Sequence, residues 1–500
     1  MRRFKKQTYL AFVLVILLLA SACSSGTGGE VAPKPGDAQG EGVQATHITM
    51  AFIGIGTFTD IEEVQQAINE ITLEKINATV KLVPIDVSAW QQQVNLLLTG
   101  SEPLDLLVTS SLFNYSTQVS RGQLIELDEL LEEHGQGVIE ATDPITFNGT
   151  KINGKVYGVS SFRELVADYG FIARKDLLDK HGIDLSQVKS YADLESVFSI
   201  IKEKEPGISP IVQRSTTNAV ATELLASQFD SLGDGLGVLK MAGGSTEVVN
   251  LYETDEYRQA VEQARAWYEA GYIMPDASTT QESNTSLMKA NKGFGYFSNM
   301  KPGFEEQENS LMGYEMEAVR LTEPVGGSTG PSAFMLSIAR NSKTPEKAMQ
   351  LMNLLYTDAD VMNLLVHGIE GKHYVMGDNG QIKPPEGGAS GYSFNQWEVG
   401  NNSLTYTWEG ASPDQWERLK EFNRSGIYSP ALGFSFDASP VKTEIAAVTN
   451  VVNQYKAGLE SGSLDPGTID EFVDKQKKAG IERIIAEKQK QLDAFLAANQ

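Results

Sequence analysis

The stretch Ala78–Val108, ATVKLVPIDVSAWQQQVNLLLTGSEPLDLLV, decides the fold class because a strand, a helix and a second strand follow one another directly. Residues 78–85 alternate between apolar and polar side chains, as a strand with one buried face does. Ser88 is a suitable N-cap for a helix that ends near Leu98. Residues 104–108 are apolar on both faces, which is typical of a strand inside a parallel sheet.

The same alternation extends to both sides of this stretch. An apolar strand at 48–55 precedes a helical pattern at 61–76, in which isoleucines and a valine recur at near-helical spacing. Further strands are predicted at 156–159, 169–174, 208–212, 289–297 and 334–339, and further helices at 175–182, 190–206, 254–270, 345–356 and 469–498. Strands that alternate with helices indicate a sheet covered by helices, so the sequence predicts an α/β protein.

The first 23 residues have the layout of a lipoprotein export signal. A basic start precedes an apolar run at Tyr9–Ala20, which is too short to span a bilayer, and small residues then lead to Cys23. The segment resembles a bacterial lipobox, although Ala20 stands where leucine is commonest. We expect a signal peptide at 1–22, lipid on Cys23, and a flexible Gly/Ser/Pro-rich tether through residue 45. This predicts a protein anchored on the extracytoplasmic face of the cell membrane.

Charge and cysteine content exclude several classes of protein. The 500 residues carry a formal charge of −24, and the four positive charges of the signal leave −28 without it. Such an acidic surface argues against nucleic-acid binding. Because Cys23 is the only cysteine, the remaining chain has no disulfide and no Cys-ligated metal. The five histidines show no metal-binding spacing, so we predict neither a metal nor a cofactor.

Five segments carry a family resemblance through their order and spacing. They are WQQQVNLLLTGSEPLDLLVTS (90–110), NGKVYGVSS (153–161), YGFIARKDLLDKHGI (169–183), MKANKGFGYFSNMKPG (288–303) and NSKTPEKAMQLMNLLYTDADV (341–361). In this order they resemble the extracellular solute-binding proteins of ABC importers, the large carbohydrate-binding family that includes maltose-binding protein. GIEGKHY (368–374), QWEVGNN (396–402) and the long C-terminal extension are similar to a lipoprotein subgroup from Gram-positive bacteria.

The resemblance implies a two-lobed α/β fold with a hinge and a ligand cleft between the lobes. Lobe one would comprise 46–158 plus 284–325, lobe two 159–283 plus 326–439, and 440–500 a helical extension packed on lobe two. Closure of the cleft would trap a carbohydrate, an oligosaccharide or sugar-acid oligomer, and the closed form would dock on ABC permease subunits in the membrane. The expected protein is a monomer without catalytic activity.

Candidate ligand-binding residues are aromatic side chains and planar or hydroxyl-bearing polar side chains in loops, because these match the faces and hydroxyl pairs of sugars. They are Thr57, Trp90, Ser110, Ser111, Gln213, Arg214, Asn299, Glu370, Trp397, Asn401 and Trp408. Core packing is an equal alternative for Trp90, and a surface salt bridge is one for Arg214. Glu370 could instead fix its own loop, and Trp397 and Trp408 could instead pack between loops.

The string Gly326-Gly327-Ser328-Thr329-Gly330 matches the G-x-S-x-G pattern of serine hydrolases. That motif requires a helix after the serine, whereas a strand pattern follows here, so the glycines fit a bend between lobes better. A surface glycosidase or esterase stays open as an alternative, since paired carboxylates cannot be excluded among 65 acidic residues. A receptor for a non-sugar solute, such as a peptide, and a sugar-sensing lipoprotein are also open.

Overall fold

The computed structural model describes residues 45–213, 219–388 and 391–498. The predicted leader, Cys23, the tether and Arg214 lie outside the described residues. In the part of the chain that is described, no helix is both long and apolar enough to cross a membrane.

Strands and helices alternate along the chain much as the sequence predicts. The strands are β1 Thr46–Ile53, β2 Ala78–Ile85, β3 Leu106–Thr109, β4 Val159–Ser160, β5 Asp168–Arg174, β6 Ser209–Ile211, β7 Phe229–Asp230, β8 Leu239–Lys240, β9 Gly293–Met300, β10 Met316–Arg320, β11 Val325–Gly326, β12 Met335–Ile338, β13 Val375–Met376, β14 Ile382–Lys383 and β15 Ile427–Tyr428. The helices are α1 Ile61–Ile76, α2 Trp90–Thr99, α3 Tyr115–Ser120, α4 Asp128–His134, α5 Gln136–Ala141, α6 Pro144–Asn148, α7 Lys175–His181, α8 Leu194–Lys204, α9 Val220–Leu225, α10 Asp255–Glu269, α11 Asn284–Lys289, α12 Phe304–Met312, α13 Pro345–Thr357, α14 Ala359–His367, α15 Gln415–Ser425, α16 Lys442–Glu460, α17 Ile469–Ala479 and α18 Ile481–Ala498. The α/β prediction is confirmed.

Two separate sheets define two lobes. The first sheet has the order β2-β1-β3-β12-β4, with β1 parallel to both β2 and β3, and β12 antiparallel to its neighbours. The second has the order β10-β5-β9-β6. We call the parts of the chain that pack on these sheets the first and the second lobe. Each has its own apolar core, because a sheet must bury at least one face against helices.

The strand pairing corrects the predicted lobe boundaries. Residues 284–325 were expected in lobe one, but β9 pairs with β5 and β6, and β10 pairs with β5, so this segment completes the second sheet. Residues 326–439 were expected in lobe two, but β12 lies between β3 and β4, and side chains of α13 and α14 fill the first core. Only the end of this segment, with Ala431 and Phe434, packs with second-lobe residues. The main chain therefore crosses between lobes after β4, again before β12, and a third time between residues 400 and 431.

The C-terminal helices pack on the second lobe. Val448 of α16, Phe472 of α17 and Ile484 of α18 belong to the same core as Tyr257 of α10. The ring of Phe472 lies 5.1 Å from that of Tyr455, in a stacked arrangement. The extension is thus part of the second lobe's core.

Candidate functional site

The parallel strands of the first sheet end at a common edge, where a cavity of about 700 Å³ separates the two lobes. We call it the inter-lobe cavity. Its first-lobe wall consists of the start of α2, the loop after β3 and helix α3, which follow the carboxyl ends of β2 and β3. Its other wall comes from residues 436–442 of the C-terminal segment. Ligands of α/β proteins bind at such an edge of the sheet.

Side-chain amides dominate the first-lobe wall. They belong to Gln91, Gln92, Asn95, Asn114, Gln118 and Gln123. An amide both donates and accepts hydrogen bonds, so it can pair with adjacent hydroxyl groups. The charged groups among the described lining residues are Arg121 and Lys442, and no carboxylate is among them.

Two polar atoms on this wall lack a hydrogen-bond partner. Oγ of Ser111 and Oε1 of Gln118 are buried, and neither is bonded to another described residue. Leaving a buried polar atom unpaired costs about 1–3 kcal/mol. Both residues line the cavity, although these two atoms are themselves enclosed by protein.

Ser110 and Ser111, which follow β3, have different roles. Ser110 is fully buried, and its Oγ accepts a hydrogen bond (3.0 Å) from the backbone N–H of Leu112, which caps a short 3₁₀ turn. Ser111 lines the cavity, and its own N–H donates to the carbonyl of Ser332 at 2.8 Å. Of the predicted ligand residues that the structure describes, Ser111 is therefore the one that lies on this wall, and Ser110 shapes its loop.

Trp90 is a core residue, which corrects its assignment to the ligand. Its side chain is 1% exposed and shares the inner face of α2 with Val94 and Leu98, at i+4 and i+8. The ring lies 6.4 Å from that of Phe113, which does line the cavity. Trp90 thus packs against Phe113, an aromatic side chain that is not among the predicted ligand residues.

Thr57 is exposed, but it is fixed to a neighbouring loop. Its N–H donates to Oγ of Ser393 at 2.9 Å, and its carbonyl accepts from the N–H of the same residue at 2.8 Å. Phe58, next to it, packs edge-on against Tyr392 with ring centroids 5.9 Å apart. Thr57 does not line the inter-lobe cavity.

Gln213 is fully buried at the end of β6. Its Oε1 accepts a hydrogen bond (3.0 Å) from the N–H of Val220, while its Nε2 has no partner among the described residues. The contact supports the start of α9, so this side chain organises the second lobe.

The two predicted residues near the crossing segments differ in role. Asn401 is buried, and its amide bonds to the carbonyl of Tyr356 (3.2 Å) and to Ser403 (2.6 Å to Oγ), so it is structural. Trp397 is partly exposed, with its ring 4.5 Å from that of Phe334 in an edge-to-face contact. Its carbonyl accepts from Oγ of Ser161 at 2.8 Å, which ties it to the crossing after β4.

The remaining candidates are exposed and lie away from the inter-lobe cavity. Asn299 is on β9 opposite Tyr169. Glu370 pairs through its backbone with Tyr374 in its own loop. Trp408 is 39% exposed and packs edge-on against His367 at 5.6 Å. The structure does not bring these three together.

Ser328 is not a nucleophile. It is fully buried, and both its N–H and its hydroxyl donate to the carboxylate of Asp230, at 2.9 and 3.0 Å. A hydrolase serine must be exposed beside a base. The preceding Gly326 allows close packing, since a Cβ there would lie 2.7 Å from the ring of Tyr428. The motif therefore forms the bend at the second crossing.

Charged groups near the crossing are paired or buried. Burial would raise the pKa of Glu164, but the charges of Arg163 (2.8 Å) and Lys301 (3.4 Å) outweigh it and lower that pKa. Burial raises the pKa of Glu398 to about 8, against a hydrogen bond from the N–H of Ile53 at 2.8 Å. Glu398 is thus neutral at pH 7 and fixes the end of β1.

A second cavity and the arrangement of possible metal ligands were also considered as sites. A cavity of about 210 Å³ beside residues 160–165 is below the usual range of ligand pockets, about 300–1,000 Å³. Within the described ranges, no group of three or more His, Cys, Asp or Glu side chains is arranged to hold a metal ion.

Comparison with known proteins identifies the class. Residues 56–362 match the bacterial extracellular solute-binding protein family, and residues 430–497 match a domain of unknown function, DUF3502. A carbohydrate ABC transporter substrate-binding protein from Streptococcus pneumoniae serotype 4 is 30% identical over 509 residues, covering 99% of each chain. The chain belongs to the bacterial extracellular solute-binding protein family, as its resemblance implied. It is therefore an extracytoplasmic binding protein rather than an enzyme.

Solved structures show the same fold. The N-glycan transport solute binding protein (NgtS) from Streptococcus pneumoniae is 28% identical, with a TM-score of 0.80 covering 91% of this chain and all of that one. Its complex with Man5GlcNAc gives a TM-score of 0.66, covering 91% of this chain and 99% of that one. The likeness confirms the two-lobed architecture.

Proposed function

We propose that this protein is the substrate receptor of an ABC importer for a neutral oligosaccharide built from mannose and N-acetylglucosamine. The amide-lined cavity between the lobes carries this proposal. Its amides suit neighbouring hydroxyl groups, and Phe113 and Phe436 offer aromatic faces to the C–H surfaces of sugar rings. A volume of about 700 Å³ is in the range of ligand pockets.

The similar proteins support both the ligand class and the partner. The Streptococcus pneumoniae relative is described as part of a carbohydrate ABC transporter, and NgtS was crystallised with Man5GlcNAc. The absence of carboxylates from the described wall disfavours a cationic peptide. Arg121 and Lys442 could instead pair with an acidic sugar, which makes a uronic-acid oligomer the alternative ligand to test.

Cleft closure is the proposed mechanism of delivery. One NgtS structure gives a TM-score of 0.80 to this protein, and the structure of its complex with Man5GlcNAc gives 0.66. A lower score for the complex supports a change in lobe arrangement on binding. Ligand contacts to both walls would stabilise the closed form, and the permease would recognise that form.

Calorimetric titration with Man5GlcNAc and with an oligogalacturonate tests the ligand. We expect binding of the neutral sugar and a raised melting temperature, because a ligand at 100 times its Kd stabilises the native state by about 2.7 kcal/mol. Binding of neither sugar would overturn the carbohydrate proposal. Binding of the acidic oligomer alone would overturn the neutral one.

A pair of glutamine variants on the first-lobe wall tests the site. Gln118→Ala removes a side-chain amide from a residue that lines the cavity, and a hydrogen bond is worth about 1 kcal/mol, so we expect a Kd about fivefold higher. Gln93→Ala is the control, since Gln93 lies exposed on α2 outside the lining residues. Equal Kd values for both variants would place the ligand elsewhere.

Lipid anchoring at Cys23 is the proposed means of retention. A basic and apolar leader ends at this single cysteine, and a Gly/Ser-rich segment follows it. Measuring how much of the protein remains on the cells and how much is released into the medium tests this proposal. We expect Cys23→Ala to move the folded protein into the medium with an unchanged Kd, and full retention on the cells would contradict it.

A further inference from the structure

One face of the last helix, α18, packs against the loop formed by residues 434–437. The side chains on that face are Lys488, Gln491, Leu492 and Phe495, which follow the i, i+3, i+4, i+7 spacing of a single helical stripe. Leu492 and Phe434 are buried in a small core of their own, and the rings of Phe434 and Phe495 lie 5.7 Å apart. These apolar contacts attach the loop to the helix.

Polar contacts from the same face of α18 hold Phe436, which lines the cavity, and Asp437, which follows it. Oε1 of Gln491 accepts from the N–H of Asp437 at 2.9 Å, and Nε2 of Gln491 donates to the carbonyl of Asp437 at 3.0 Å. The ammonium of Lys488 lies 5.0 Å from the ring centroid of Phe436. Lys488 is itself fully buried and held by Asp234 at 2.5 Å and by the carbonyl of Gly237 at 3.2 Å.

Phe436 is the side chain that this arrangement presents to the cavity. It is partly buried against the second-lobe core, and it lines the second-lobe wall of the inter-lobe cavity. Phe113, backed by Trp90, lines the first-lobe wall. The two walls therefore each carry one aromatic ring that is supported from behind. Such a pair can hold a sugar ring between two apolar faces.

We propose that the C-terminal segment 430–497, which matches a domain of unknown function, completes the oligosaccharide site. Phe436 stacks on a sugar ring, and Gln491 and Lys488 are positioning residues that hold Phe436 before the ligand arrives. This inference rests on the proposed function. It assigns the segment a role in affinity, because a side chain that is already ordered loses less conformational entropy on binding.

A matched pair on α18 separates positioning from general stability. Gln489 makes the same kind of contact as Gln491, accepting from the N–H of Val248 (2.7 Å) and donating to the carbonyl of Thr246 (3.0 Å). The loop that Gln489 holds does not line the inter-lobe cavity. Gln491→Ala and Gln489→Ala should therefore lower the melting temperature alike, while Gln491→Ala alone raises the Kd for Man5GlcNAc, by about threefold or more.

Substitutions of Phe436 test the stacking surface directly. Phe436→Leu keeps an apolar side chain and removes the ring, so we expect a Kd about tenfold higher, whereas Phe436→Tyr keeps the ring and should bind within about twofold of the unaltered protein. If the unaltered protein binds Man5GlcNAc while Phe436→Leu and Gln491→Ala bind equally well, this inference is wrong and the proposed function stands. If the unaltered protein binds no oligosaccharide, both fall.

Discussion

The buried carboxyl of Glu398 makes the stability of this protein fall as the pH rises. Its side chain is fully buried, its Oε1 has no partner among the described residues, and burial raises its pKa to about 8 from an ordinary value of 4.5. Between these two values the folded chain holds a proton that the unfolded chain has lost. The contribution is therefore fully present below about pH 4.5 and is lost as the pH rises through about 8.

The size of this effect follows from the pKa difference. Each pKa unit corresponds to 1.36 kcal/mol, so ionisation of Glu398 destabilises the fold by on the order of 4–5 kcal/mol above pH 8. Glu398→Gln keeps an oxygen that can accept from the N–H of Ile53 and carries no proton to lose. We expect this variant to lie within about 1 kcal/mol of the unaltered protein at pH 5 and to exceed it by several kcal/mol at pH 8.5.

Urea unfolding at pH 5, 6.5, 8 and 8.5 measures the difference, provided that the denaturant slope is the same for both proteins. Glu132→Gln is a suitable control, because Glu132 is an exposed glutamate on α4. It should leave the pH dependence unchanged. Parallel pH profiles for Glu398→Gln and the unaltered protein would refute the reasoning.

Three further substitutions test individual assignments. Trp90→Ala should destabilise the protein by about 3–5 kcal/mol, measured by urea unfolding, because it empties a fully buried site behind Phe113; a change below 1 kcal/mol would argue against core packing. Ser328→Ala should lower stability by about 1–3 kcal/mol, because it removes the hydroxyl bond to Oδ1 of Asp230 and keeps the backbone one, and a larger effect on sugar affinity than on stability would contradict its place in the bend. Asn401→Ala should lower the melting temperature and leave the Kd for the oligosaccharide unchanged, and a selective loss of affinity would restore its predicted role.

The periodicity of apolar residues predicted individual helices and strands better than it predicted which strands pair with one another. Helix α1 and strand β2 match their predicted bounds, because apolar side chains recur at helical spacing in one and alternate in the other. Strand β9 is buried on both faces, so its pattern indicates a central strand without indicating which sheet contains it. The wrong lobe assignment of 284–325 and of most of 326–439 follows from this ambiguity.

The sequence indicated a residue of the candidate site only close to a strand end. Ser111 lies two residues after β3 and on the cavity wall, and its contact with a ligand stays a prediction. Gln118 sits on the short helix α3, which carries too little sequence to show a pattern. Phe436 joins the same cavity from a loop that only the tertiary fold brings there. Trp90 was misplaced because an aromatic residue in a first helical turn can face either the core or a ligand.

The position of β12 constrains the order in which the protein can fold. Thr109 of β3 and Ser337 of β12 are joined by a hydrogen bond of 2.6 Å across 228 residues of chain. During synthesis, β1, β2 and β3 are complete long before β12 exists, so the edge of β3 stays unpaired until the whole second sheet has been made. Such a long-range pairing makes folding slow. The first sheet, although it begins the chain, is therefore completed after the second.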